Sequence, residues 1–244
     1  MYNPQMADPA LPPTPTQRHG ALVRATHWIT TAAFAALLVT GIEILISHPR
    51  FYWGEDGNVR TTPLFQLHIP SSRSSVPTGY GYVLPDQNGW SRYLHFQSAW
   101  VAVLTGLVYV AWGLAAGHFR RNLLPERGSV TWGAMAARLR FGRPGPAEAR
   151  SYNPAQRMAY LLVIFVLFPL EIWTGLAMSP GFVSALPAAV TLLGGQQSAR
   201  TLHFFVSAAL ALFVLVHVAM VTLAGFGRMR AMITGRAARG REDA

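Results

Sequence analysis

Four long apolar runs set the limits on what this chain can fold into. Counting the polar residues at their helix starts, they extend from Ala21 to Ile46, Ser91 to Ala116, Arg157 to Met178 and Arg200 to Ala224. About 20 mostly apolar residues cross the hydrocarbon core of a bilayer as a helix, so each run is long enough to span it. Lipid offers no partner to backbone N–H and C=O groups, and a helix satisfies them within one segment. The expected fold is therefore all-α: an integral-membrane four-helix bundle. A fifth stretch, Phe182 to Leu193, is too short to span and carries Pro187 in its middle; it reads as a re-entrant or interfacial segment. Composition agrees, since 51% of residues belong to AVILMFWYC and only 12% are charged, about half the charge of an ordinary soluble chain.

The charge that remains is one-sided. Ten acidic residues stand against twenty basic ones, all of them Arg, for a net +10. A nucleic-acid binder gathers such charge on one face or tail. Here it flanks apolar runs, so nucleic acid is excluded as a partner and the charge is a topology signal. Cytoplasmic loops hold the excess of Lys and Arg. With both termini cytoplasmic, fifteen arginines lie inside and five (Arg50, Arg60, Arg73, Arg92, Arg200) outside, and four spans put both ends on one side. The expected organisation is a disordered cytoplasmic tail over 1–20, proline-rich and unlike a cleavable signal peptide. A helical domain follows over 21–227, with an outer loop at 47–90 and an inner loop at 117–156, and then a basic cytoplasmic tail over 228–244. Residues 129–141 carry apolar and basic side chains at helical spacing and read as a surface helix. The outer loop is long and rich in Tyr, Trp, Pro and Gly, which reads as a docking surface. No internal repeat is apparent.

Chemistry inside a membrane rests on ionisable residues in the spans. Cysteine is absent, which excludes disulfides, iron–sulfur clusters, thiolate zinc sites and covalent c-type haem. Of eight histidines, His27, His95, His203 and His217 lie in spans. The directions of the helices place His27 and His217 near the inner side and His95 and His203 near the outer side. On the fourth helix, fourteen residues bring His217 to within roughly 40° of the direction of His203, about 21 Å further along the axis. One face thus presents two imidazoles at two depths, each with a partner at its own depth. Paired neutral imidazoles without thiols suit a six-coordinate iron porphyrin, so two haem b groups are expected, His27/His217 inner and His95/His203 outer. Four independent packing histidines are the alternative; pairing at both levels favours haem.

Arg24, Arg92 and Arg200 stand three residues before His27, His95 and His203, on the same helix faces. Such guanidiniums can reach porphyrin carboxylates, or snorkel to headgroups. Gly41 and Gly106 share faces with His27 and His95, where a flat macrocycle needs room, although glycine also serves helix packing; Gly175 could serve either purpose. Glu43 and Glu171 are the carboxylates inside the spans and candidate groups for proton or quinone chemistry. They could equally satisfy the helix kink at Pro169 or pair with an outer arginine.

Arg-Ala-Thr-His-Trp at 24–28, His-Pro-Arg-Phe-Tyr-Trp-Gly at 48–54, Pro-Leu-Glu-Ile-Trp-Thr-Gly at 169–175 and Gly-Gly-Gln-Gln-Ser-Ala-Arg-Thr-Leu-His-Phe at 194–204 carry a resemblance. From about His19 to Gly227 the chain resembles the bacterial cytochrome b561 and nickel–iron hydrogenase b-type cytochrome superfamily, most of all its thiosulfate reductase cytochrome b branch. The resemblance implies a di-haem subunit of the bacterial inner membrane. It would exchange electrons between quinone and a catalytic partner, often a molybdopterin oxidoreductase, docked here on the outer face. In relatives such as the formate dehydrogenase membrane subunit, helices one and four ligate one haem and helices two and four the other. This implies the same pairs, His27 with His217 and His95 with His203. The alternatives are a stand-alone superoxide:quinone oxidoreductase of the same superfamily, and a haem-free transporter or scaffold.

Overall fold

The computed structural model describes residues 20–58, 60–69, 76–77, 83–84, 89–124, 154–223 and 226–235. Among the described residues, four helical segments are long and apolar enough to cross a membrane: Ala21–Ser47, Gly89–Ala115, Gln156–Ala177 and Gln196–Leu223, of 27, 27, 22 and 28 residues. At 1.5 Å per residue the shortest is about 33 Å long, enough for a hydrocarbon core of about 30 Å. The first span is α1 (Ala21–Ser47) and the second α2 (Gly89–Ala115), followed by the short α3 (His118–Asn122). The third is composite: α4 (Pro154–Leu162), a π-helical turn (Val163–Leu167) and α5 (Phe168–Ala177). Then come α6 (Pro180–Ala185), α7 (Ala188–Thr191), the fourth span α8 (Gln196–Leu223) and α9 (Phe226–Thr234). The expected all-α membrane bundle is what the chain forms.

Lipid is the solvent these helices are built for. Only 11% of each span's apolar window is buried within the protein, and side chains such as Leu107, Leu212 and Leu215 are exposed by 60%, 60% and 68%. In water that surface would aggregate; in a bilayer it costs nothing to leave uncovered. The third span bends for a local reason. Pro169 has no N–H to give the carbonyl one turn back and its ring crowds that carbonyl, so the preceding turn widens to π geometry.

The spans pair as two hairpins, α1 packed along α2 and α5 along α8, with α9 in contact with α8. Between the hairpins lies an apolar layer of Val163, Val206 and Leu210, packed with Phe34 of α1, Leu167, Phe168, Leu170 and Phe213. At the loop end, strands β1 (Arg50–Phe51) and β2 (Phe65–Gln66) pair antiparallel, as do β3 (Val76–Pro77) and β4 (Val83–Leu84). The stretch 182–193 is helical but broken around Pro187, which separates α6 from α7.

The segment after α1 is clamped to the start of α8. Gly54 accepts from the N–H groups of Gln197 (2.9 Å) and Ser198 (3.3 Å), and its own N–H donates to Ser198 Oγ (2.7 Å). Glu55 accepts from Gln196 N (3.0 Å), and Thr201 Oγ1 donates to the Tyr52 carbonyl (2.7 Å). Orphan donors of a helix start are thereby satisfied by a distant strap. Gly195 makes the approach feasible, with φ +116° and no Cβ where Gly54 C would lie 2.4 Å away.

At the opposite, terminal end, helix α9 follows the fourth span; Ala231 is buried and side chains of α1 cap its last carbonyls. Arg24 Nη1 donates to Ile233 O (2.9 Å) and Trp28 Nε1 to Met232 O (3.3 Å). Gly235, at φ +78°, closes the helix with its N–H on Ala231 O at 2.8 Å. The proline-rich tail and the surface helix expected at 129–141 lie outside the described residues.

Candidate functional site

The four span histidines meet in two pairs at two heights. At the loop end the rings of His95 (α2) and His203 (α8) have centroids 6.4 Å apart. At the terminal end His27 (α1) and His217 (α8) are also 6.4 Å apart. A metal–imidazole bond is about 2 Å and the ring centre lies about 1 Å beyond the nitrogen, so two imidazoles across one ion have centres about 6 Å apart. Both pairs stand at that spacing. Among the described residues no group of three or more His, Cys, Asp or Glu converges. Each pair therefore brings two imidazoles, and no third such group, to one space among the described residues.

At the loop end both rings are held from behind. His95 Nδ1 lies 2.9 Å from Thr40 Oγ1, and the Thr40 hydroxyl donates to Ala36 O at 2.7 Å. His203 Nδ1 lies 3.0 Å from Thr174 Oγ1, which donates to Leu170 O at 2.9 Å. A hydroxyl has one proton. Given to its own helix, that proton leaves the oxygen to accept from Nδ1–H, so Nε2 of each ring keeps its lone pair for a metal. A glycine follows each threonine, and a Cβ there would come within 3.6 Å (Gly41) and 3.4 Å (Gly175) of the Cε1 atoms of His95 and His203. Gly41 thus lies at the loop end, against the His95 ring. At Gly106 a Cβ would meet nothing within 4 Å, so that position borders open space.

Glu171 shares this pocket. Its Oε1 accepts from Ser207 Oγ and lies 3.3 Å from His203 Nε2, while Oε2 is buried without a partner. The Nε2 lone pair could meet a metal or this carboxyl, not both, and Ser207 is the partner Glu171 would keep beside a metal. Glu43 stands half-buried near the end of α1.

The terminal pair has apolar walls. The His217 ring lies nearly parallel to Phe213 (5.9 Å, 18°) with Tyr160 edge-on at 6.3 Å, and Trp28 stands edge-on to His27 at 5.2 Å. The layer around Val206 and Leu210 separates the two levels.

The arginines diverge from one another. Arg24 caps α9, and its Nε is buried without a partner. Arg200 donates to the His48 carbonyl and lies over the Phe51 ring at 5.1 Å. Arg92 is exposed at the start of α2. Burial first, and then the Arg200 and Arg92 charges, push the His48 imidazole below its ordinary pKa.

Sequence reasoning missed Thr40, Thr174 and Ser207. The signal for the threonines was present as Thr-Gly at 40–41 and at 174–175. Two short strings also repeat, Arg-Tyr-Leu-His-Phe at 92–96 and Arg-Thr-Leu-His-Phe at 200–204.

A membrane four-helix bundle with imidazole pairs at two heights and no thiolate defines a b-type cytochrome. The chain belongs to the prokaryotic cytochrome b561 family, whose model matches residues 18–235. It is similar to a chain of Azospira oryzae provisionally named protein-methionine-sulfoxide reductase subunit YedZ1, with 28% identity over 84% of this chain and 90% of that one. It is also similar to a chain of Cupriavidus necator provisionally named Ni/Fe-hydrogenase B-type cytochrome subunit, with 26% identity over 83% of this chain and 77% of that one. The protein is thus a multi-pass, haem b-binding electron-transfer subunit.

Proposed function

We propose that the chain holds two haem b groups, one between His95 and His203 and one between His27 and His217, and relays electrons across the membrane between quinone and a catalytic redox subunit. The observation that carries this is the equal 6.4 Å separation of two imidazole pairs, both sharing α8 and each joining the two helix hairpins. Iron porphyrin between two fixed imidazoles supplies one-electron transfer and no substrate chemistry. The protein's part is to fix the ligands. Thr40 and Thr174 set the loop-end rings and Phe213 and Tyr160 wall the His217 ring. Phe34, Val206 and Leu210 keep water from the space between the levels.

Arg92 and Arg200 at the loop end and Arg24 at the terminal end are the cations for porphyrin carboxylates; the buried, unpartnered Arg24 Nε is a donor still to be satisfied. Glu171, bonded to Ser207, is the proton-holding group beside the loop-end pair, with Glu43 a second carboxyl toward the same end. The arginine bias orients the termini to the cytoplasm of a bacterial inner membrane and the strap of residues 48–58 outward, where the catalytic subunit docks. Relatives named as subunits of a reductase and a hydrogenase support such a partner.

Purified chain should show a b-type α band in its reduced-minus-oxidised spectrum and two haems per chain. H27A, H95A, H203A and H217A should each retain about one. Two haems retained in any of the four would defeat the assignment of that histidine.

A further inference from the structure

We infer that Thr40 and Thr174 are positioning residues that set the electron affinity of the loop-end centre and so make the two centres unlike. The inference rests on the reading of His95 and His203 as ligands.

Three observations carry it. Both threonines are fully buried. Each reaches across to a different helix, at 2.9 Å and 3.0 Å, and to the same ring atom, Nδ1. Each is followed by a glycine whose missing Cβ faces the Cε1 of that ring. Helix packing alone accounts for a small polar residue at such a place. It does not account for the same dipeptide making the same contact from α1 onto α2 and from α5 onto α8.

The consequence follows from imidazole chemistry. A ring that donates Nδ1–H is a more basic ligand through Nε2. A stronger donor favours ferric over ferrous iron, so two such bonds on one centre lower its electron affinity. The terminal centre is built otherwise: the His217 ring has Phe213 and Tyr160 as neighbours, and no hydrogen bond to it is found among the described residues. Among the described residues the doubled hydroxyl contact is found at the loop-end pair.

The test uses the full-length haem-loaded protein and the variants T40V, T174V, T40S and T174S, with haem content and a potentiometric titration of the α band as readouts. Valine keeps the volume and removes the hydroxyl; serine keeps the hydroxyl. Each valine variant should retain two haems and shift the ferric–ferrous balance of one haem toward ferrous by roughly fivefold, about 40 mV upward for a one-electron couple at 59 mV per tenfold. The other haem should not move, and the serine variants should titrate as wild type. Loss of the loop-end haem in a valine variant with retention in the serine variant equally supports the hydroxyl as the positioning group. Two haems with both potentials unchanged in both valine variants would overturn the inference. So would equal loss of haem in valine and serine variants, which would reduce the threonines to packing. The underlying ligand assignment is read separately from H95A and H203A: if these keep two haems, that reading fails whatever the threonine variants do.

Discussion

Replacing Gly195 by alanine tests whether the strap after α1 is clamped as described. At φ +116° the new Cβ would sit 2.4 Å from Gly54 C, 2.5 Å from Gly54 O and 2.7 Å from Glu55 N. These are backbone atoms, so the strap itself must retreat by about 1 Å to reach ordinary van der Waals contact. That retreat lengthens the bonds from Gln197 N (2.9 Å) and Ser198 N (3.3 Å) to Gly54 O. It also strains Gly54 N to Ser198 Oγ (2.7 Å) and Gln196 N to Glu55 (3.0 Å). Left-handed backbone costs an alanine about 1–2 kcal/mol, and each bond lost is worth about 1 kcal/mol. With two of the four bonds broken the loss is about 3 kcal/mol, or a fall in Tm of roughly 6–12 °C for a chain of this size. The assay pairs thermal unfolding in detergent with trypsin, which can cut after Arg50 and Arg60 once the strap lifts. Gly181→Ala is the control, because a Cβ there meets nothing within 4 Å. If G195A melts and resists trypsin as G181A does, the strap is not held by this contact.

Gly113→Ala should destabilise by about 1–3 kcal/mol through overpacking, because its Cβ would lie 2.5 Å from the ring of Phe119, itself wedged against Phe165 and Tyr109. Adding Phe119→Leu should recover part of the loss, and an unchanged melting curve for G113A would sink the argument. Arg24→Gln should remove the cap on Ile233 and loosen α9, costing about 1 kcal/mol and speeding tryptic cleavage after Arg230; equal cleavage rates would show that the cap is idle. For His48, the lowered folded pKa means that the unfolded chain binds the proton more readily. Stability should therefore rise with pH through the window just below the ordinary histidine value, and fall on acidification until the folded form also protonates. His48→Gln should flatten that part of the melting-temperature profile, and a profile as steep as wild type would refute it.

Much of the fold was legible because hydropathy and length act locally. The spans from 21, 91 and 157 were placed within a few residues of their observed starts. Pro169 announced the π-helical turn as a kink, and Pro187 announced the break between α6 and α7. The height of each histidine followed from helix direction alone, which is why the pairs were reachable. Other features depend on contacts that no local pattern encodes. Thr40 reads as one more small residue in an apolar helix until His95 is seen beside it. Helix α9 was hidden in a basic tail because its last turn is capped by Arg24 and Trp28, two hundred residues earlier. The fourth span began at Gln196 rather than Arg200, since its first turn is satisfied by Gly54 and Glu55 from the strap and needs no apolar residues to announce it.

The two hairpins invite a reading in terms of assembly. Thr40 orients a ring on α2, the next span in its own hairpin, and Thr174 orients one on α8, likewise within its own hairpin. Each hairpin therefore holds its loop-end ring by a contact of its own. The first presents His27 and His95, the second His217 and His203, one from each half at each height. On the proposed ligand assignment the chain would be two half-sites on one polypeptide, each with its loop-end ring held from within its own hairpin. A chain divided within 125–153 should accordingly still assemble when its halves are co-expressed, with haem content as the measure; halves that never yield a b-type band together would show that each depends on the other to fold.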